Sequence, residues 1–154
     1  MSRRAQITMT EAEVSAFLDE QRTVTCATLG PDGWPHLAPL WYVVRDGTVW
    51  AWTYAASQKV RNLERDPRAT LQVEAGDTYD QLRGVALRCR VVLHRDPAAV
   101  AGLGGDIFGR YHGVLTAETM AMVRKQAAKR VALEFTQDGP PATWDHRKLA
   151  AGVY

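Results

Sequence analysis

The sequence predicts a mainly β protein: an antiparallel sheet closed into a barrel, with a few helices packed outside it. Strand-like runs outnumber helical ones, and most are joined by tight turn signals such as Gly30-Pro-Asp-Gly33 and Arg45-Asp-Gly47. Strand–helix–strand alternation is not sustained and no Gly-x-Gly-x-x-Gly occurs, which argues against a doubly wound parallel sheet. At 154 residues the chain is the size of one domain, and 46% hydrophobic residues suffice for a real core.

Each element has a local cause. Thr10-Glu-Ala-Glu13 is a capping box, in which hydroxyl and carboxylate take backbone N–H groups that a first helical turn leaves free. It opens a short amphipathic helix to about Asp19, with Val14, Phe17 and Leu18 on one face. Residues 22–29 are β-branched and read as a strand. Residues 34–44 read as a second strand, and its two prolines, which cannot donate to a ladder, place it at an edge or a bulge. A third strand covers Thr48–Tyr54, and a helix runs from about Ser57 to Asp66, where Pro67 disfavours helical geometry before it. Residues 69–74 and Arg83–His94 form the fourth and fifth strands, separated by a loop over 75–80. Asp96-Pro97 is an N-cap with proline at the first helical position. The helical sequence beyond it is expected to break at Gly102, Gly104 and Gly105. A second helical run over 117–129, a sixth strand over 131–136 and a last short segment over 142–149 complete the chain.

Composition excludes several functions. A formal charge of +2 is too weak for a general nucleic-acid binder, whose affinity rests on many phosphate contacts. No apolar run approaches the length of a transmembrane helix, and the first residues lack the apolar core of a signal peptide, so a cytoplasmic location is expected. Cys26 and Cys89 sit in apolar strands without metal or redox spacing and read as buried reduced thiols. His36, His94, His112 and His146 share no ligand spacing, so no metal site is expected; His36 reads as a surface histidine. Trp34, Trp41, Trp50 and Trp52 lie on adjacent strands and read as core or dimer-interface residues.

The richest stretch is residues 50–70, a strand running straight into a helix, with Thr53, Ser57 and Lys59 at the join. A helix start offers free N–H groups and a positive dipole end, which suits a phosphate. This points to a phosphate-bearing cofactor. Three features then carry a resemblance: the hairpin Thr25-Cys-Ala-Thr-Leu-Gly-Pro-Asp-Gly-Trp-Pro-His-Leu-Ala-Pro39; Trp52-Thr53 followed by Ser57-Gln-Lys-Val-Arg-Asn-Leu63 and Asp66-Pro-Arg68; and Leu82-Arg-Gly-Val-Ala-Leu-Arg-Cys-Arg90. In this order and spacing they resemble the pyridoxamine 5′-phosphate oxidase-like family, split β-barrel oxidoreductases of the FMN-binding-barrel type that use flavin or deazaflavin.

The resemblance implies a homodimer with the cofactor in a groove between subunits. Trp52 and Thr53 would line the cofactor, Ser57, Gln58 and Lys59 would hold its phosphate, and Leu40, Trp41 and Tyr42 would run beside its ring. Trp144 and Arg147, or Lys148, in the segment Thr143-Trp-Asp-His-Arg-Lys-Leu149 match the C-terminal strand that reaches the site. Two positions depart from the pattern: Gln58, where flavin oxidases often have arginine, and Cys89, where glycine is usual. Gln58-Lys59, Arg61-Asn-Leu63 and Asp66-Pro67 look more like the branch that uses coenzyme F420, whose tail is polyanionic. Lys59, Arg61, Arg65 and Arg68 would supply part of a basic groove; Arg61 and Arg65, at i and i+4, equally suit a solvated helix face.

The implied activity is hydride transfer from reduced coenzyme F420 to a small electron-poor acceptor, with FMN chemistry or non-catalytic cofactor binding as alternatives. A haem-handling barrel, with His146 as ligand, is a weaker one. No acid–base pair is readable, so no catalytic side chain is named, though Tyr42 or water would supply a proton. Substrate contacts are expected from loops over 75–81 and 102–115.

Overall fold

The computed structural model describes residues 2–149. The strands are β1 (Val24–Leu29), β2 (Pro35–Leu40), β3 (Val43–Arg45), β4 (Thr48–Tyr54), β5 (Arg68–Ala75), β6 (Arg83–His94), β7 (Arg130–Gln137) and β8 (Ala142–Asp145). The helices are α1 (Arg3–Gln6), α2 (Glu11–Glu20), α3 (Gln58–Arg65), α4 (Pro97–His112) and α5 (Ala117–Ala127). The strands form one antiparallel sheet in the order β2-β1-β5-β6-β7-β4-β3, with β8 pairing beside β6. The end strands β2 and β3 are joined by only Trp41 and Tyr42, so the sheet must curl until its two ends approach. This is the expected split barrel.

Alternation along the strands places Val24, Cys26, Leu71, Val73, Leu87, Leu133 and Phe135 in the barrel core, closed by Phe17 and Leu18 of α2. The capping box forms as expected, with reciprocal Thr10–Glu13 hydrogen bonds. A second apolar layer lies outside β3, β4 and β7, where Val43 and Ala132 meet Val100, Leu103 and Ile107 of α4. Val131, Ala132 and Leu133 are therefore all buried, since both faces of β7 are covered there. The Arg45-Asp-Gly47 turn has positive φ at Asp46 (49°) and Gly47 (77°), the twist a two-residue hairpin needs.

The structure corrects four expectations. Residues 34–44 are not one strand: the chain leaves the ladder at Trp41 and Tyr42, and β2 is an edge strand as its prolines require. The glycines of α4 do not interrupt it. A Cβ on Gly104 would lie 2.4 Å from a ring carbon of Trp52, so this glycine admits the indole against the helix. Most of the expected loop 102–115 is accordingly helix. Of the four tryptophans, Trp50 and Trp52 are half-buried against the second apolar layer, while Trp34 and Trp41 are exposed. His36 is only partly at the surface, with its Nδ1 enclosed and unpartnered. Helix α1 has no counterpart in the sequence reading.

Candidate functional site

A cleft of about 490 Å³ opens between the end of β2, the end of β4 and the α4–α5 pair. Leu40, Trp41, Trp52 and Thr53 line it, four of the residues expected to meet a cofactor. Phe108 and His112, within the 102–115 segment expected to contact substrate, line it too, as do Met122, Gln126 and Arg130, which the sequence reading did not name. Their positions follow from α4 and α5 folding back over β4, which a pattern of helix-breaking glycines concealed.

One wall is fixed from behind. Trp41 stacks on Tyr111, ring centroids 4.3 Å apart and 7° from parallel. The Tyr111 hydroxyl donates to the Arg22 carbonyl at 2.7 Å and accepts from the Tyr42 N–H at 3.0 Å. Arg110, one residue back in α4, lies 4.5 Å over the Tyr42 ring and donates to the carbonyls of Leu18, Asp19 and Gln21. It thereby satisfies carbonyls that the end of α2 leaves free. The Tyr42 side chain points inward, and its hydroxyl donates to the Leu18 carbonyl at 2.6 Å. Burial pushes its pKa up, against the opposing pull of Arg110. Tyr42 thus cannot supply a proton to the cleft; only its backbone remains near the mouth.

From Tyr54, at the cleft edge, a tight turn leads to α3, with the Ser57 N–H donating to the Tyr54 carbonyl at 3.0 Å. Ser57 caps α3, its Oγ accepting from the Val60 N–H. Lys59 is half-buried and has no side-chain partner among the described residues; its charge reaches Cys26 in the core, where it opposes the effect of burial. Gln58 donates to Asn62 at 2.8 Å, and the buried Asn62 donates to Thr28 at 3.0 Å, which pins α3 to β1. Arg61 is exposed. Arg65 is drawn off to the Leu29 carbonyl, and Arg68 to Asp66 at 2.8 Å, so neither is free for a basic groove.

Trp144 and Arg147 do not reach the cleft of their own chain. Trp144 lies against Gly84, where a Cβ would meet its ring at 2.2 Å. Arg147 grips Asp145 in two hydrogen bonds, and these hold that carboxyl below its ordinary pKa. Lys148 pairs with Glu13 at 2.7 Å. His146 contacts the Tyr79 carbonyl through Nδ1 at 2.8 Å, so the 75–81 loop also packs away from the cleft. Cys26 and Cys89 are free and buried as expected; burial pushes their thiols up to about 12 and about 11. Among the described residues no three His, Cys, Asp or Glu gather as a metal site, and no helix is long and apolar enough to cross a membrane.

The curled antiparallel sheet with its helix-flanked cleft defines a split β-barrel. The family model for pyridoxamine 5′-phosphate oxidase matches residues 10–138, and the chain belongs to that family. No curated protein matches the sequence. The chain is similar to a solved conserved hypothetical protein of Mycobacterium tuberculosis, Rv2991, at 42% identity and a TM-score of 0.89, covering 99% of this chain and 98% of that one. An F420 reductase shares the fold at 21% identity and a TM-score of 0.65, covering 86% and 97%. So does HutZ, the haem storage protein of Vibrio cholerae, at 15% identity and 0.68, covering 87% and 94%.

Proposed function

We propose that this protein is an oxidoreductase that passes a hydride from reduced coenzyme F420 to a small electron-poor acceptor. The observation that carries the reading is that the chain passes from Tyr54, at the edge of the aromatic cleft, through one tight turn into the start of α3. The residues present fit such a cofactor. Flat rings suit Trp41 and Trp52 in a cleft whose lining is mostly apolar. An anion suits the free N–H groups of α3 beside Lys59, a cation with no side-chain partner among the described residues.

When bound, the deazaflavin supplies the hydride chemistry. The protein's part is to bind, orient and exclude water. Ser57, Gln58 and Lys59 hold the phosphate and Arg61 the start of the acidic tail, while Trp52 and Thr53 set the depth of the ring. Leu40, Trp41 and the Tyr42 backbone form the opposite wall, held by Tyr111 and Arg110. Trp144 and Arg147 serve only from a second subunit, so the reading includes a cytoplasmic homodimer whose C-terminal segment closes the partner's cleft.

FMN is the second reading: its single phosphate needs Ser57 and Lys59 but no further cations. The test is anaerobic mixing of enzyme and reduced coenzyme F420 with a panel of activated alkenes and quinones. Enzyme-dependent reoxidation by one class of acceptor is expected. Reoxidation no faster than without protein, by every acceptor, overturns the activity, and a protein purified with the absorption band of a flavin moves it to FMN.

A further inference from the structure

We propose that the cleft binds an anionic oxygen of a flat ligand through Arg130. The proposal rests on the cleft being the ligand site, and it adds the charge of what enters. Arg130 begins β7 and lines the cleft beside Thr53 and Tyr54. Its guanidinium lies 4.2 Å from the Tyr54 ring centroid and 4.7 Å from that of Trp52. Its Nε is enclosed and has no hydrogen-bond partner. Among the described residues no carboxylate pairs with it, whereas eight other basic side chains find one.

An enclosed cation loses hydration that aromatic faces restore only in part. The group that restores the rest is an anion, and a guanidinium fork prefers a planar one. The surroundings leave room for it: among the described residues no acidic one lines the cleft, and its outer continuation past Met122 and Gln126 carries Lys125 and Lys129. The shared chemistry is thus a carboxylate-like oxygen on a conjugated, flat molecule. Its source is either the acceptor or the cofactor.

The test compares benzoate with its neutral counterpart benzamide by ligand-observed NMR titration of the apo protein, in wild type, Arg130→Lys and Arg130→Gln. Benzoate is expected to bind wild type roughly tenfold more tightly, the scale of one charge-assisted contact. Arg130→Lys keeps most of that preference and Arg130→Gln abolishes it. Equal affinity for the two probes, no binding of either, or a preference that survives Arg130→Gln overturns the proposal; the wild-type comparison needs no variant to fold. Saturating coenzyme F420 or FMN then assigns the source: displacement of benzoate gives the anion to the cofactor, simultaneous binding gives it to the acceptor. Should neither cofactor bind while the benzoate preference holds, the oxidoreductase reading falls and the anion site stands.

Discussion

Two hollows of nearly equal size differ in what their arginines face. The groove over β1, β5 and β6, about 480 Å³, carries Arg68, Arg88 and Arg90; the cleft beside α4, about 490 Å³, carries only Arg130. By count of cations the groove looks like the anion site. Yet Arg68 is held by Asp66 and Arg90 by Asp138 at 3.1 Å, and Arg88 stands in water. Arg130 is flanked by two rings, its Nε has no hydrogen-bond partner and no carboxylate among the described residues pairs with it. Water and carboxylates have already satisfied the first set, so a ligand gains little there; the enclosed cation still has its interaction to make. The same reasoning separates the cations of α3 and the start of β5, where Arg65 and Arg68 are engaged and Lys59 has no side-chain partner among the described residues.

The largest expected effect is at the wall of the cleft. Gly104→Ala should cost about 1–3 kcal/mol of stability, the usual range for overpacking, because the new methyl must displace the Trp52 ring. Denaturant unfolding measures this, and a cofactor titration on the folded fraction should register a moved indole. An unperturbed variant would mean that α4 does not set Trp52. Of the same size is Lys59→Ala, expected to weaken cofactor binding by about 1.5–3 kcal/mol, the scale of a charge-assisted hydrogen bond. Unchanged affinity would remove the α3 start from the site.

The groove should respond far less. Arg68→Ala is expected to leave ligand affinity unchanged and to shift thermal stability only slightly, since its ion pair is solvent-exposed. It should also alter the acid limb. Hydrogen bonds from Arg68 hold the Asp66 carboxyl down at about 2, below its unfolded value. The pair's contribution is therefore full above the ordinary carboxylate range and is lost as pH falls towards 2. Thermal midpoints of wild type and variant should converge across that window. A gap that widened there would contradict the pairing.

Much of the barrel was legible because its signals are local. The prolines of β2, the Thr10 and Asp96 caps and the turn at Asp46-Gly47 act within a few residues. Ser57 as the cap of α3 was legible for the same reason. What stayed hidden depends on packing between distant segments. Gly104 reads as a helix breaker until Trp52 is known to lie against it. Asn62 entered the sequence reading only within Arg61-Asn-Leu63, and its burial on Thr28 follows from α3 packing against β1. Arg130 follows Lys129 in sequence and looks like a second solvated cation. Only the pairing of β7 with β4 brings it beside Trp52 and Tyr54.

The measurement that bears most directly on the account is a parallel titration of coenzyme F420 and FMN into apo protein, followed by quenching of tryptophan fluorescence. Trp41 and Trp52 line the cleft, so a ligand that enters it must change their emission. Saturable quenching by both, with coenzyme F420 the tighter and both weakened in Lys59→Ala, is the predicted result. Binding of neither, or quenching indifferent to Lys59, would contradict the cleft and the start of α3 as one cofactor site.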